Sequence, residues 1–381
     1  MNSILLRKLQ VSLVSAVALT SALRAAPFMA IGDGAELFVT GTVGVRADDN
    51  IFLSTNAGAV AGAKSQVVSD TIFELTPGLD LTFGKNAQLK GSVFGSVALS
   101  NYADNSSLDT QLLSLGAMST FDDGKLKLKT SVGYNELNQN SVDIRGLTRR
   151  DQTFVKGSGE VSATEKTSVS AGLSFDKANY KRVGYSDTDI LEVPLNVFYK
   201  MTEKVDLSLG YRYRDTKVQI GSDSQDNYFN VGARGDFTPK LKGSFNVGYN
   251  QRSLTRGKDE DLFGLEADLS YELTPKSQLT IGASNDFNTV ASGAQQKVFR
   301  LNGNVTTKIS EVWSLNGGLS YSANDYYTRT DDYLEGQVGA TYVINSYVGI
   351  SGSYKYSNNS SVLRSSEFSN SVFSLSAKIR Y

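Results

Sequence analysis

Apolar and polar residues alternate with a period of two along most of the chain. In one segment Val205, Leu207 and Leu209 alternate with polar or small residues, and the pattern returns in segment after segment towards the C-terminus. Because successive side chains of a β-strand point to opposite faces, the pattern predicts strands with one apolar and one polar face. Segments of about ten such residues in series are typical of β-barrels that span a membrane.

The connections between these segments form two sets. The short set repeats a Thr-Pro-Lys or Thr-Glu-Lys triplet at intervals of about 36 residues, the length of two strands with their connections. The longer set is polar and includes residues 135–150, 288–296 and 357–366. Short periplasmic turns opposite longer external loops are expected of outer-membrane barrels, so the hairpin is predicted to be the repeating unit.

The count of segments predicts an all-β fold, a single antiparallel transmembrane β-barrel of about 18 strands, with 16 as the alternative. Strands are expected over residues 36–46, 71–84 and 88–100, and so on to a last strand over residues 372–381. Pro194 falls in the middle of a predicted strand and is expected to mark a β-bulge, because it lacks a backbone donor. A barrel of 16–18 strands is wide enough to leave an aqueous channel.

The first 30 residues show a different pattern. Arg7 and Lys8 precede an apolar stretch over residues 11–23, and small residues follow at 25, 26 and 30. This order is that of a secretory signal peptide, and the apolar stretch is shorter than the roughly 20 residues that a membrane-spanning helix needs. We therefore predict a signal peptide over residues 1–30, with an approximate cleavage position, and one outer-membrane barrel over residues 31–381.

Composition excludes several classes of function. The 381 residues carry a formal net charge of −1, without the basic excess expected of a nucleic-acid-binding protein. The chain contains no Cys and no His, so a Ser-His-Asp triad and the usual Cys and His metal ligands are impossible. The mean hydropathy of −0.23 is too polar for a helical membrane protein. We predict no enzyme activity, no cofactor, no metal and no nucleic-acid partner.

Charged residues recur at the polar positions of the alternating segments. An Arg or Lys on the lipid face near the bilayer midplane costs roughly 2–4 kcal/mol, so these residues are predicted to face the lumen. There they either tune selectivity for ions and solutes or pair with one another in a wet interior. The predicted lumen-lining charges are Lys156, Glu160, Glu192, Lys200, Arg212, Arg214, Arg234, Lys242, Glu266, Asp268, Arg300 and Glu335.

The last predicted strand ends on an aromatic residue. Phe373, Leu375, Ile379 and Tyr381 share its apolar parity, and Tyr381 is the C-terminal residue. The segment resembles the signal by which the barrel-assembly machinery recognises outer-membrane clients. The resemblance implies that this machinery is a partner, and that the protein is inserted among the lipid and lipopolysaccharide of a Gram-negative outer membrane.

Two further segments carry a family resemblance. Residues 44–53 (GVRADDNIFL) and 76–79 (TPGL) look like the family known as "putative β-barrel porin, type 2". The resemblance implies a barrel over nearly the whole chain after the signal peptide. It also implies a link to exopolysaccharide export, since some members of the family are associated with such systems.

These patterns together predict a porin-like channel in the bacterial outer membrane. The expected cargo is either small hydrophilic solutes or an exported polysaccharide. The alternative is a non-conducting barrel with a structural or surface-interaction role, whose lumen is filled by loops. Residues 47–70 or 135–150 are the segments expected to fold inward in that case.

Overall fold

The computed structural model describes residues 26–32, 34–55, 66–142, 146–327 and 329–381. Within these residues it contains 19 β-strands, numbered in chain order. Their bounds are β1 Met29–Ile31, β2 Ala35–Asp48, β3 Asp70–Phe83, β4 Leu89–Tyr102, β5 Thr110–Asp122, β6 Leu126–Ser141, β7 Gly146–Ser162, β8 Thr167–Tyr180, β9 Thr188–Lys200, β10 Val205–Val218, β11 Ser224–Asp236, β12 Leu241–Leu254, β13 Glu260–Thr274, β14 Ser277–Thr289, β15 Gln295–Lys308, β16 Trp313–Asp325, β17 Thr330–Val343, β18 Val348–Ser361 and β19 Phe368–Arg380.

Strands β2 to β19 form one closed sheet. Each strand pairs antiparallel with the next along the chain, and β19 pairs back to β2, with Arg380 opposite Thr40 and Val372 opposite Asp48. This confirms the predicted antiparallel barrel and its 18 strands. The short connections lie at one end of the barrel, the turn end, together with the start of β2 and the end of β19. The opposite end is called the loop end.

The short strand β1 completes the seam between the first and last barrel strands. The pairing of β19 with β2 stops at Thr40, so β19 gives no partner to the first residues of β2. Strand β1 pairs with that edge, with Met29 opposite Leu37 and Ile31 opposite Ala35. An unpaired strand edge exposes backbone donors and acceptors, and β1 covers them. The predicted signal-peptide boundary at residue 30 falls inside β1, whereas residues 1–25 lie outside the described residues.

Hydroxyl groups of the short connections stabilise the tight turns. Thr202 Oγ1 accepts hydrogen bonds from the backbone N–H groups of Lys204 and Val205 at 3.2 and 3.0 Å. Such side-chain turns let Thr, Ser or Asn hold the backbone two or three residues onward. The same arrangement recurs at Thr164, Thr238, Ser310 and Asn345. This local chemistry explains the roughly 36-residue repeat of the Thr-containing triplet.

The loops predicted to be long are mostly strand. The predicted loop over residues 135–150 belongs largely to β6 and β7, and the connections that replace the other two span only residues 290–294 and 362–367. The barrel strands run from 13 to 17 residues, although 9–11 residues suffice to cross a bilayer. Backbone pairing therefore continues beyond the apolar belt, where the sequence no longer alternates clearly.

The prediction of a β-bulge at Pro194 is wrong. Pro194 lies opposite Arg212 in an unbroken register with β10, and the register with β8 is the same on both sides of it. The pairing with β8 merely omits the positions around the proline, which has no N–H to donate. A bulge occurs instead between Glu272 and Thr274, next to a turn.

The outer face of the barrel is an apolar belt. Outward side chains such as Leu209, Phe229 and Val338 are more than half exposed. Their neighbours in sequence, which are mostly Ser, Asn, Gly and charged residues, point the other way. The described residues include no helix that is long and apolar enough to cross a bilayer. The exposed apolar belt on a closed sheet is the arrangement that hydrocarbon requires.

Candidate functional site: the interior of the barrel

Some ion pairs join strands that are far apart in the sheet. Arg212 of β10 contacts Asp286 of β14, and Arg234 of β11 contacts Glu160 of β7. Adjacent strands lie about 4.8 Å apart, so a separation of four strands along the wall is roughly 19 Å, far beyond ion-pair distance. These pairs therefore close through the interior, where one part of the wall folds inward onto itself.

Arg212 connects both sides of this inward fold. Its Nη1 donates to Oε1 of Glu266 at 2.7 Å, and its Nη2 donates to Oδ2 of Asp286 at 2.9 Å. Glu192 lies 3.8 Å from its Nε, and the guanidinium carbon lies 4.8 Å from the ring centre of Tyr228. The side chain is only 6% exposed, so its charge depends on these carboxylates. Arg212 thereby joins strands β9, β10, β13 and β14.

Asp226 is fully buried and holds two further arginines. Arg214 Nε donates to its Oδ2 at 2.5 Å, while Arg252 donates to both oxygens at 2.5 and 2.7 Å. The guanidinium carbon of Arg252, a residue only 1% exposed, lies 4.7 Å from the ring centre of Phe287. One carboxylate accepts several N–H donors, so Asp226 compensates two buried cations.

The arginines also bind the backbone where β14 ends. Arg214 donates to both oxygens of Asp286 at 3.1 Å and to the carbonyl of Phe287 at 3.0 Å. Arg252 Nη1 donates to the carbonyl of Asn288 at 3.2 Å and to Oε1 of Gln295 at 2.6 Å. The β14–β15 hairpin is thus held against β10 and β12. We call Arg212, Arg214, Asp226, Arg252, Glu266 and Asp286 the arginine–carboxylate network.

The connection over residues 290–294 lies across the loop end above this network. The backbone N–H of Ser186 donates to the carbonyl of Ala291 at 2.7 Å, and the N–H of Ile220 donates to Oγ of Ser186 at 2.9 Å. Gly293 adopts a φ of +78°, and a Cβ built on it would lie 1.8 Å from the carbonyl oxygen of Ile220. Only glycine allows both this backbone conformation and this close approach. Three connections therefore meet over the inward fold.

A second bridge lies nearer the turn end. Arg234 donates to Glu160 through Nη1 and Nη2 at 2.8 and 2.5 Å, and to Asp206 through Nε at 3.1 Å. Its guanidinium carbon lies 3.4 Å from the ring centre of Phe198. We call the wall from β9 to β15 the packed sector, because the network and the 290–294 connection fill its inner side. The bridge from Arg234 to Glu160 joins this sector to β7. Strands β16–β19 and β2–β8 form the open sector.

The inner wall of the open sector is accessible to water between the turn end and mid-height. Asn316 and Ser353 have the inward parity of their strands and are exposed, whereas Asn230 and Ser244, at similar heights in the packed sector, are buried. A side chain on the inner face of a closed barrel is exposed only if the space in front of it is empty. The open sector therefore borders a polar, water-accessible cavity.

Part of the loop end of the open sector is covered by residues 49–55. Asn50 is fully buried and donates from Nδ2 to the carbonyls of Ser54 and Ser369 at 2.9 and 3.0 Å. Ile51 packs with Ile72 and Tyr102 in a small apolar cluster. Residues 47–70 were one of the segments predicted to fold inward. Within this segment, residues 49–55 pack on the rim of the barrel, and residues 56–65 lie outside the described residues.

The other predicted lumen charges occupy less crowded places. Lys156 lies 3.3 Å from Asp176, and Glu335 accepts a hydrogen bond from Tyr333 at 2.7 Å and lies 3.6 Å from Lys355. Asp268 lies on β13 opposite Ser244 and Gly282. Lys200, Lys242 and Arg300 are exposed at inward positions, and their side chains form no ion pair or hydrogen bond within the described part of the chain.

Several central residues were not identified from the sequence. Asp226, Arg252, Asp286 and Gln295 belong to the network or bind it, but they lie near the loop ends of their strands. The alternation weakens there, so these positions were predicted as loop or left unassigned. Asp226, Arg252 and Asp286 share the inward parity of Arg212 and Glu266 along the extended strands, and that parity is the signal that identifies them. Gln295 has the parity of the outward Leu301, so the pattern gives no signal for it.

The predicted assembly residues lie on the outer face of the last strand. Phe373, Leu375, Ile379 and Tyr381 are each about half exposed. The backbone of Tyr381 pairs with Val39 through two hydrogen bonds of 2.9 and 2.6 Å. The C-terminal residue therefore closes the seam at the turn end.

A family model described as "Putative beta-barrel porin 2" matches residues 221–381. The match confirms the family resemblance over the C-terminal part of the barrel. The segments that carried the resemblance in the sequence, residues 44–53 and 76–79, lie outside the matched range. A search of curated proteins found no match to the chain.

Solved outer-membrane proteins have a similar fold. OpdK from Pseudomonas aeruginosa, in a crystal structure with vanillate, matches with a TM-score of 0.50 and 10% identity, covering 92% of this chain and 100% of that chain. OpdL from the same organism matches with a TM-score of 0.48 and 14% identity, covering 92% and 99%. A structure described as "Bacterial polysaccharide outer membrane secretin" matches at 0.38 and 9%, covering 92% and 100%. At 10% identity, the match to OpdK shows likeness of fold alone.

Proposed function

We propose that this protein is a porin-like channel of the bacterial outer membrane that lets small hydrophilic solutes diffuse along the open sector. The observation that carries the proposal is the water-accessible inner wall between the turn end and mid-height, represented by Asn316 and Ser353. A closed barrel of 18 strands is wide enough for an aqueous path even when one sector is filled. Hydroxyl and amide groups along the wall replace the water that a solute loses on entry.

The proposed location follows from the surface of the barrel. The exposed apolar belt needs a bilayer around it, and its strands cross without a membrane-spanning helix. We propose that the chain is exported with a signal peptide, inserted by the barrel-assembly machinery through the β19 surface, and surrounded by lipid and lipopolysaccharide. The chain lacks His and Cys, and we propose no catalytic role for it.

Polysaccharide is the second cargo that we propose. The open sector carries many inward Ser, Thr and Asn side chains, which donate and accept hydrogen bonds with sugar hydroxyls. The resemblance to a family with exopolysaccharide-associated members supports the same cargo. Export and general diffusion require the same open path, so both depend on the conductance of the barrel.

Reconstitution of the purified protein in a planar bilayer tests this proposal. Discrete, stable current steps in 1 M KCl are expected from a water-filled open sector. Neutral dextrans of increasing length, added at constant concentration, are expected to reduce the current until they become too large to enter. Absence of current steps from protein that retains heat-modifiable gel mobility would contradict the channel.

The alternative function is a non-conducting barrel with a structural or surface-interaction role. The filled packed sector and the cover formed by residues 49–55 favour it. In that case the bilayer stays silent, and removal of residues 49–55 restores no current. Current that appears only after the removal would instead indicate a channel that is closed at its loop end.

A further inference from the structure

The charges of the barrel are unevenly distributed along its axis. When each strand is divided at its midpoint, the described residues of the turn half carry 16 Lys or Arg and 12 Asp or Glu side chains, a formal charge of +4. The described residues of the loop half carry 17 Lys or Arg and 25 Asp or Glu side chains, a formal charge of −8. The small net charge of the whole chain therefore conceals two ends of opposite sign.

At the turn end the excess charge is positive, and part of it lies at inward positions of the strands while the rest lies in the turns. Lys200, Lys242 and Lys308 have inward parity and are exposed, and their side chains form no ion pair or hydrogen bond with the described residues. These lysines lie at the turn end of the packed sector, so their ammonium groups border the turn-end entrance of the lumen and can meet a solute there. At the loop end, Arg212, Arg214 and Arg252 are already bound to carboxylates, whereas Arg300 forms no ion pair with the described residues. The remaining carboxylates give that end its negative charge.

From this distribution we propose that the lumen is electrically polar and draws in anionic hydrophilic solutes from the turn end, which faces the periplasm. The inference rests on the proposed channel, and it adds the end from which solutes enter and the sign of their charge. Charges lining a narrow, low-dielectric passage focus their field and raise the local concentration of ions of opposite sign. At 0.1 M salt the Debye length is about 10 Å, comparable with the dimensions of such a passage. A polyanion is thus attracted at the turn end and repelled at the loop end.

One-sided current block tests the proposal in a planar bilayer at 0.1 M KCl. The probes are dextran sulfate and neutral dextran of the same chain length. A protease site inserted into the exposed connection over residues 255–259 reports which end of each channel faces which chamber. Dextran sulfate is expected to block at least threefold more effectively from the turn end than from the loop end, whereas neutral dextran shows little difference. At 1 M KCl, where the Debye length is about 3 Å, the asymmetry is expected to shrink.

Two double variants identify the charges that cause the asymmetric block. Lys242→Gln with Lys308→Gln is expected to remove most of the asymmetry, since both ammonium groups lie inside the turn end. Lys217→Gln with Lys258→Gln makes the same charge change at the loop end, and this pair is expected to keep or enlarge the asymmetry of current block. Current steps with equal block from both ends would overturn this inference and leave the channel standing. A silent bilayer would overturn the channel and this inference together.

Discussion

The packed and open sectors use inward charges in different ways. In the packed sector, Arg252 and Asp226 are almost completely removed from water and connect strands through several charge-assisted hydrogen bonds. In the open sector, Glu335 and Lys355 lie 3.6 Å apart with the lysine side chain 43% exposed. The alternation of the sequence is the same in both. The comparison indicates that an inward charge holds strands together only where the wall folds inward far enough to exclude water.

The two environments predict different energies for the same kind of pair. Removing one partner of a buried ion pair typically costs 3–5 kcal/mol, because the other charge stays buried without compensation. A pair that water reaches is worth about 0–1 kcal/mol. Substitutions at matched positions of the two sectors therefore distinguish charges that hold strands together from charges that only line the cavity.

The largest effect is expected for Asp226→Asn. It leaves Arg214 and Arg252 without their shared carboxylate charge, and we expect a loss of about 3–5 kcal/mol in the free energy of unfolding. Urea unfolding in detergent micelles, followed by tryptophan fluorescence and gel mobility, measures it. Glu335→Gln is the matched control in the open sector, with an expected loss below about 1 kcal/mol. Similar losses for both variants would remove the distinction between the sectors.

The next effect is expected for Gly293→Ala. The new Cβ meets the carbonyl of Ile220, and the positive φ disfavours any side chain, so the 290–294 connection must move. A forced left-handed residue typically costs 1–3 kcal/mol, and we expect a loss of about that size together with noisier single-channel current. Gly303→Ala, where a Cβ meets nothing within 4 Å, is the control. An unchanged melting temperature and current for Gly293→Ala would show that this connection is loosely held.

A third prediction concerns conduction rather than stability. Asn316→Trp places a bulky ring in the water-accessible space of the open sector, and we expect conductance to fall by about half with little change in stability. Leu315→Trp puts the same ring on the outer apolar belt and is expected to leave conductance unchanged. If the two variants conducted equally, the path would not run along β16.

The smallest effect is expected in a turn, away from both sectors. Backbone N–H groups of Leu126 and Lys125 donate to Asp123 and hold the pKa of its carboxyl below its usual value. A lowered pKa means that the ionised form stabilises the folded state above pH 4 or so, and that this contribution is lost as the pH falls through the folded-state pKa. Asp123→Ala is therefore expected to lower the melting temperature slightly at pH 7, with the difference disappearing in acid. Glu165→Ala, in another turn, is the control, and a pH-independent difference would contradict the assignment.

Much of the fold could be predicted from local sequence. Alternation specifies which side chains share a face, and hydroxyl-bearing turns such as that at Thr202 specify where strands reverse. Both depend on residues close together in the chain, so they are readable without a structure. The ends of the strands were predicted poorly, because backbone pairing continues beyond the apolar belt, where the sequence shows no clear alternation of apolar and polar residues.

The candidate site was predicted only as a set of inward charges. The sequence determined that Arg212 and Glu266 share the polar face and that no His or Cys chemistry is available. The folded structure adds that Arg212 binds Asp286, 74 residues away, and that the side chain of Arg300 forms no ion pair with the described residues. The physical reason is that alternation orients a side chain but carries no measure of the distance across the lumen. That distance depends on how the closed sheet of 18 strands bends inward, which residues distant in sequence decide together.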